Sequence, residues 1–365
     1  MESRISSSLL FVGSLPTTSS EESLRCCGDM FGDVVFALPD GETGPRKPWI
    51  GFEAARMLGP HPDFEPTQDV LNPAWLYAAG GFRLRPGVEE ITFDLMPRID
   101  EAIESYGVFC SLREEGVIPE GVRFQVSLPF PASVGGWFFL GPESLAQPRI
   151  EEGADFAHDY PIFARAYEDV WSRELPRLLE AIPAEDLAIQ WDVCWEVLDQ
   201  ERLFQYSDEA GAWERFAGPV RRMSKDIPED VLVGYHLCYG TFPEWPMREA
   251  QDMKNIVDMA NYCAAESGRQ VDFLHIAGSR SLRSNDDSFY RPLENLKPAG
   301  ARVFLGLILP VDGALGTEMR VNTARKYLDD FGIAMYCGFG RQPGEDAKET
   351  LAAHRAAYDK FVTAS

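Results

Sequence analysis

Short apolar runs alternate with longer stretches of helical periodicity along the whole chain. "SLLFVGSLP" (7–15) and "DVVFALPDGE" (33–42) predict strands that run into Pro/Gly loops, as do "VRFQVSLPFP" (122–131), "LAIQWDVCWEVLD" (187–199) and "EDVLVGYHLCYG" (229–240). "QVDFLHIAGSRS" (270–281), "ARVFLGLILP" (301–310) and "IAMYCGFGR" (333–341) continue the series. Between them, residues 89–116, 160–183, 249–268 and 317–332 carry helical spacing, and 347–364 predicts a C-terminal helix. Strands that are apolar through their length imply a parallel sheet covered on both faces. About eight such strands, alternating with helices to the end, predict an α/β fold: a single (β/α)8 TIM barrel over 1–365. No Gly-rich GxGxxG follows the first strand, no internal repeat is visible, and no low-complexity linker divides the chain.

In such a barrel the chemistry sits where the strands end. Here the ends read "GSLP", "PDGETG", "PFPAS", "QWDVCWE", "HLCYG", "HIAGSRS", "LILPVDG" and "YCGFGR", so polar and reactive residues gather at one rim. His236 and Cys238 lie two apart on a strand and share a face. Cys337 ends a different strand. Two thiolates and an imidazole suit Zn²⁺; the other reading is two small buried thiols beside a hydrogen-bonded core histidine. Glu42, Asp192 and Glu196 form a second group, suited to binding a substrate amine or to acid–base work, or else to capping helices. Arg280, Arg283 and Arg291 suit a carboxylate, phosphate or sulfonate, or surface ion pairs with the nearby "NDD". His61, His158 and His354 read as surface residues, and Trp137, Trp191 and Trp195 as core or pocket wall.

Charge narrows the partners. Among 365 residues the formal charge is −24 and the pI about 4.6, without a basic stripe, which argues against nucleic acid and anionic membranes. The seven cysteines, with no secretory leader in "MESRISSSLLFVGSLP" and no run of ~20 apolar residues, point to a reducing cytoplasm.

Six of the strand ends, in chain order, resemble the catalytic domain of cobalamin-independent methionine synthase, in the barrel superfamily that also holds uroporphyrinogen decarboxylase. "FVGSLPTT" resembles that family's Ile-Gly-Ser-Phe/Tyr-Pro opening, and "PDGETG" its His-Gly-Glu loop. "IQWDVCWEVL" resembles Gln-Ile-Asp-Glu-Pro-Ala-Leu, and "YHLCYG" the His-Met-Cys-Tyr zinc segment. "HIAGSRS" resembles Ile-Glu-Thr-Ser-Arg-Ser, and "YCGFGR" resembles Asp-Cys-Gly-Leu-Lys. The resemblance implies a zinc-dependent methyl- or alkyltransferase that activates a small thiol as zinc thiolate. His236, Cys238 and Cys337 would be the zinc ligands, and Ser14, Glu42 and Asp192 would hold the amino acid part of the thiol. Arg280 would suit an anionic thiol.

Three departures mark a divergent, single-barrel branch. The family's glutamate ligand falls on Ala277, which binds no metal, and His275, two residues earlier on the same strand face, offers a replacement ligand. The family's folate-stacking tryptophan has Leu128 and Pro129 near its place, so the methyl or alkyl donor is open. The chain also has room for only one barrel. A metal-free lyase or decarboxylase, with Glu42, Asp192 and His275 as acid–base groups, is the alternative.

Overall fold

The computed structural model describes residues 3–66, 82–140, 156–203, 208–241, 248–278, 285–309, 312–340 and 346–363. Its strands are β1 (Leu9–Leu10), β2 (Ala37–Pro39), β3 (Phe64–Pro66), β4 (Phe82–Leu84), β5 (Arg123–Pro129), β6 (Leu187–Val193), β7 (Leu232–Leu237), β8 (Phe273–Ala277), β9 (Arg302–Ile308) and β10 (Gly332–Met335). Eight of them form one parallel sheet in the order β1-β10-β9-β8-β7-β6-β5-β2. A parallel bridge from Leu9 to Val35, just ahead of β2, brings the two edges together. The chain is therefore an α/β (β/α)8 barrel, as the strand pattern implies. β3 and β4 pair antiparallel outside it.

Strand parity sorts the barrel lining into layers. The lowest layer is apolar: Leu10, Ala37, Ala188, Leu232, Phe273, Phe304 and Ala334 pack together with Ile5. Gly234 belongs there because a Cβ would meet the Phe273 ring at 2.3 Å. One step up the same faces the lining turns polar. Gln125 and Gln190 donate to the carbonyl of Val12 at 2.9 and 2.6 Å, satisfying amides that would be costly to bury unpaired. A step further come Asp192 and His236, level with each other in the β6–β7 register. The outer faces of the strands, with Ile189, Trp191, Val233, Tyr235 and Leu274, pack under the helices in a second, larger core.

Several expectations are corrected. The stretch 187–199 is not one strand: β6 ends at Val193, and Trp195–Gln200 is a helix, buried from Trp195 through Asp199. Glu196 thus starts a helix rather than ending a strand. The first strand shrinks from 7–15 to two residues, because Gly13 to Pro16 turn across the barrel mouth. Two of the longer helices lie where none was anticipated, Ser20–Phe31, capped by Ser19, and Glu209–Ser224, capped by Asp208. His354 is not on the surface. It is fully buried on the helix Ala347–Thr363 among Phe11, Phe31 and Phe339, with ring centroids 5.2, 6.3 and 5.8 Å away, and burial holds its pKa down to about 3. His61 is mostly buried, its Nε2 3.0 Å from the carbonyl of Thr92, whereas His158 is half-exposed beside Asp159.

Candidate metal centre

β7 and β10 are separated by β8 and β9, and their C-terminal ends converge on one point. His236, Cys238 and Cys337 are all buried, and one ligand atom from each lies within 4.8 Å of the others. The Cys337 sulfur is 3.8 Å from the Cys238 sulfur and 3.5 Å from His236 Nε2. A tetrahedral zinc ion with ordinary bond lengths sets its sulfurs about 3.8 Å apart and a sulfur and nitrogen about 3.6 Å apart. The donor set and its spacing both fit zinc. Burial pushes the Cys238 thiol well above its ordinary pKa, so a thiolate there needs a compensating cation. Ala277, which stands where the family has its glutamate ligand, is buried and offers no donor.

His275 does not enter the group as a fourth ligand. Its Nδ1 lies 2.7 Å from Nδ1 of His236, and its Nε2 lies 2.8 Å from the carbonyl oxygen of Met335. Both ring nitrogens are therefore taken by protein partners. Burial holds its pKa down to about 4, so the ring is neutral near pH 7. Cys194, which the sequence reading passed over, follows β6 and hydrogen-bonds through its thiol to Cys238.

The carboxylates gather next to this group, around the ends of β2 and β6. Trp49 Nε1 donates to Asp192 Oδ2 at 3.2 Å, and Gln190 Nε2 to Oδ1 at 2.8 Å. Arg98 Nη1 reaches Glu42 Oε1 at 3.5 Å and also pairs with Glu53. Glu42 and Trp49 both hold positive φ, 48° and 54°, a strained backbone for residues with side chains. Gly41 has φ of 83°, and a Cβ there would meet Ser23 Oγ at 2.1 Å, so the "PDGETG" turn requires glycine. Ser14 lies under the turn that follows Cys337, where its Oγ accepts from the Gly340 amide at 3.3 Å and its carbonyl from Phe339 at 3.1 Å. Glu196 is turned aside, with its two carboxyl oxygens accepting from the Ser133 amide and hydroxyl at 2.9 and 2.7 Å. Arg280 and Arg283 lie outside the described residues, and Arg291 is exposed on a short 3-10 turn. Trp191 and Trp195 are buried, and the side chain of Trp137 is outside the described set. Arg98 and Trp49 are members that sequence reasoning missed.

Burial, with the Glu42 carboxylate second, raises the Asp192 pKa from 3.8 to about 8, so this carboxyl is protonated near neutral pH. A group that holds its proton more tightly when folded stabilises the fold fully below its unfolded pKa. That contribution drains away as pH climbs from about 4 to about 8. Asp192→Asn is therefore expected to flatten the fall of unfolding free energy over this interval and to gain on the natural protein as pH rises. Urea titrations at a series of pH values check it; an unchanged slope contradicts the assignment.

No protein-family model matches the chain, and no curated protein matches it. Solved structures do. A B12-independent methionine synthase from Shewanella sp. W3-18-1, in complex with selenomethionine, superposes with a TM-score of 0.57 at 13% identity, covering 95% of this chain and 89% of that one. A putative vitamin-B12-independent methionine synthase from Listeria monocytogenes gives 0.51 at 14% identity, covering 93% and 86%. What these proteins share with the chain is the barrel fold, over nearly its full length. Among the described residues no helix is long and apolar enough to cross a membrane.

Proposed function

We propose that the protein is a zinc-dependent transferase that activates a small thiol for methyl or alkyl transfer from a donor molecule, in the cytoplasm. One observation carries this reading: the spacing of Cys337 from Cys238 and from His236, 3.8 and 3.5 Å, is that of a tetrahedral zinc shell. The similarity in fold to methionine synthases supports it, as do six strand-end segments in matching order. His236, Cys238 and Cys337 would hold the ion, leaving a fourth position for the substrate sulfur. A zinc ion there supplies a Lewis acid that keeps a bound thiol ionised near neutral pH. Glu42 and Asp192, at the ends of β2 and β6, would bind an amine on the same substrate. Ser14 shapes the turn beside them, Arg280 is the candidate partner for an anionic substrate group, and Glu196 would act from behind Ser133. The metal-free lyase reading is weaker, because His275 has both ring nitrogens committed to protein partners.

Elemental analysis of the purified protein tests the metal, with about one zinc per chain expected. Turnover of a thiol panel with methyl and epoxide donors, followed by loss of free thiol, tests the transfer. A chain that holds no more zinc than a Cys337→Ser variant sinks the metal reading, and zinc without turnover across the panel sinks the transferase. The thiols also set a pH dependence. Each ligating thiol must lose its proton, and burial makes that loss harder for Cys238. Chelator competition should show zinc affinity rising with pH, by up to about two log units per pH unit for two thiols. A pH-independent affinity would mean that the sulfurs are not ligands.

A further inference from the structure

The two ligand-bearing strand ends meet a shared neighbour between them. His275, on β8, touches His236 on β7 through one nitrogen and the backbone of β10 through the other. A carbonyl only accepts, so the contact with Met335 puts the His275 proton on Nε2. A neutral ring has one N–H, so His275 Nδ1 is an acceptor, and its 2.7 Å partner, His236 Nδ1, must donate. His236 is then left with a lone pair on Nε2, the atom that faces Cys337 at 3.5 Å.

The backbone is arranged for this contact. Met335 lies two residues before Cys337, where the β9–β10 register slips: Ala334 pairs with Gly306 but Met335 with Ile308. Gly306 also gives the ring its room, since a Cβ there would stand 3.1 Å from His275 Nε2 and 2.8 Å from Tyr336 Cα.

We propose that His275 is a positioning residue that fixes the Nδ1–H tautomer of His236 and so turns a ready Nε2 lone pair toward the metal beside the Cys337 sulfur. It acts one step behind the ligands, through an imidazole. This rests on the zinc reading for its purpose, but the tautomer exists without the metal. Outer partners of this kind are worth about 10- to 100-fold in metal affinity.

The two nitrogens can be separated by substitution. An asparagine at 275 keeps an acceptor at the Nδ1 position, and a glutamine keeps a donor at the Nε2 position. Nitrogen-15 NMR of the five histidines, in zinc-free full-length protein, reads the tautomer directly. The expected result is a proton on His236 Nδ1 in the natural protein and in His275→Asn, and a mixed population in His275→Gln and His275→Leu. Zinc affinity by chelator competition should fall about 10- to 100-fold in His275→Gln and His275→Leu, and by less than about threefold in His275→Asn. A natural protein whose His236 carries its proton on Nε2 overturns the proposal, whatever the variants do. So does an equal loss of affinity in His275→Asn and His275→Leu, the mark of simple packing. If the natural protein binds no zinc while His236 holds the Nδ1 proton, the zinc reading falls and the tautomer assignment stands.

Discussion

A Cys238→Ser protein should lose its zinc while keeping its fold. Cys238 contributes one of two sulfurs to a three-residue group, and a serine hydroxyl is a poor ligand for this metal at neutral pH. The expected drop in affinity is at least about a thousandfold, about 4 kcal/mol, and turnover should go with it. Zinc held by the folded chain alone would raise the melting temperature of the natural protein, and added zinc should leave that of the variant unchanged. Cys110→Ser is the control: this residue is half-buried on the helix Pro97–Glu114 and is not a member of the group, so its loss should leave zinc content unchanged. A Cys238→Ser protein that retains a full equivalent after dialysis against chelator would remove the metal centre from His236, Cys238 and Cys337.

The second large effect is on stability. Arg98 is buried with Glu53 and Glu42, and its Nη2 also donates to the carbonyl of Trp49 at 2.9 Å. Burial works against its charge, but the two carboxylates outweigh it and hold the guanidinium ionised. Glu53 is pushed up by burial and pulled back by Arg98. Removing one member of such a set strands the other charge in the interior. Arg98→Met should therefore cost about 3–5 kcal/mol of unfolding free energy, measured by urea or guanidinium titration. Adding Glu53→Gln should recover part of the loss, because the stranded charge is then gone. The same arginine grips Trp49 and Glu42, the two residues with strained backbone beside Asp192. Its loss should thus also blunt substrate binding once the substrate is known. A stability change below about 1 kcal/mol would show that the strained turn is held by something else.

Much of this site could be read from the chain because barrels convert local pattern into long-range placement. A period of two puts residues 236 and 238 on one face, and parallel strands bring every polar strand end to the same rim. That suffices to bring Cys337 to His236 across 101 positions of sequence. What was not legible depends on contacts that no local pattern encodes. Arg98 lies 56 residues from Glu42, and nothing around Pro97 announces an inward-facing cation. The place of His275 depends on a register slip in β10 and on a missing side chain at Gly306. The misplacement of His354 had a readable cure. It falls on the same helical stripe as Leu351 and Phe361, three and seven residues away, which is a core face. The unforeseen helix Ser20–Phe31 was open in the same way, through Leu24, Cys27 and Phe31 behind a serine cap.

The apolar layer formed by Leu10, Ala37, Ala188, Leu232, Phe273, Phe304 and Ala334 makes the barrel a blind-ended vessel. A porous barrel could admit two reactants from opposite ends, each to its own side of the reacting centre. This one is stoppered below the glutamines, so whatever reaches His236 comes in and goes out through one doorway. The two reactants of a transfer would then queue or travel side by side, and the first to arrive would set the shape of the space left for the second.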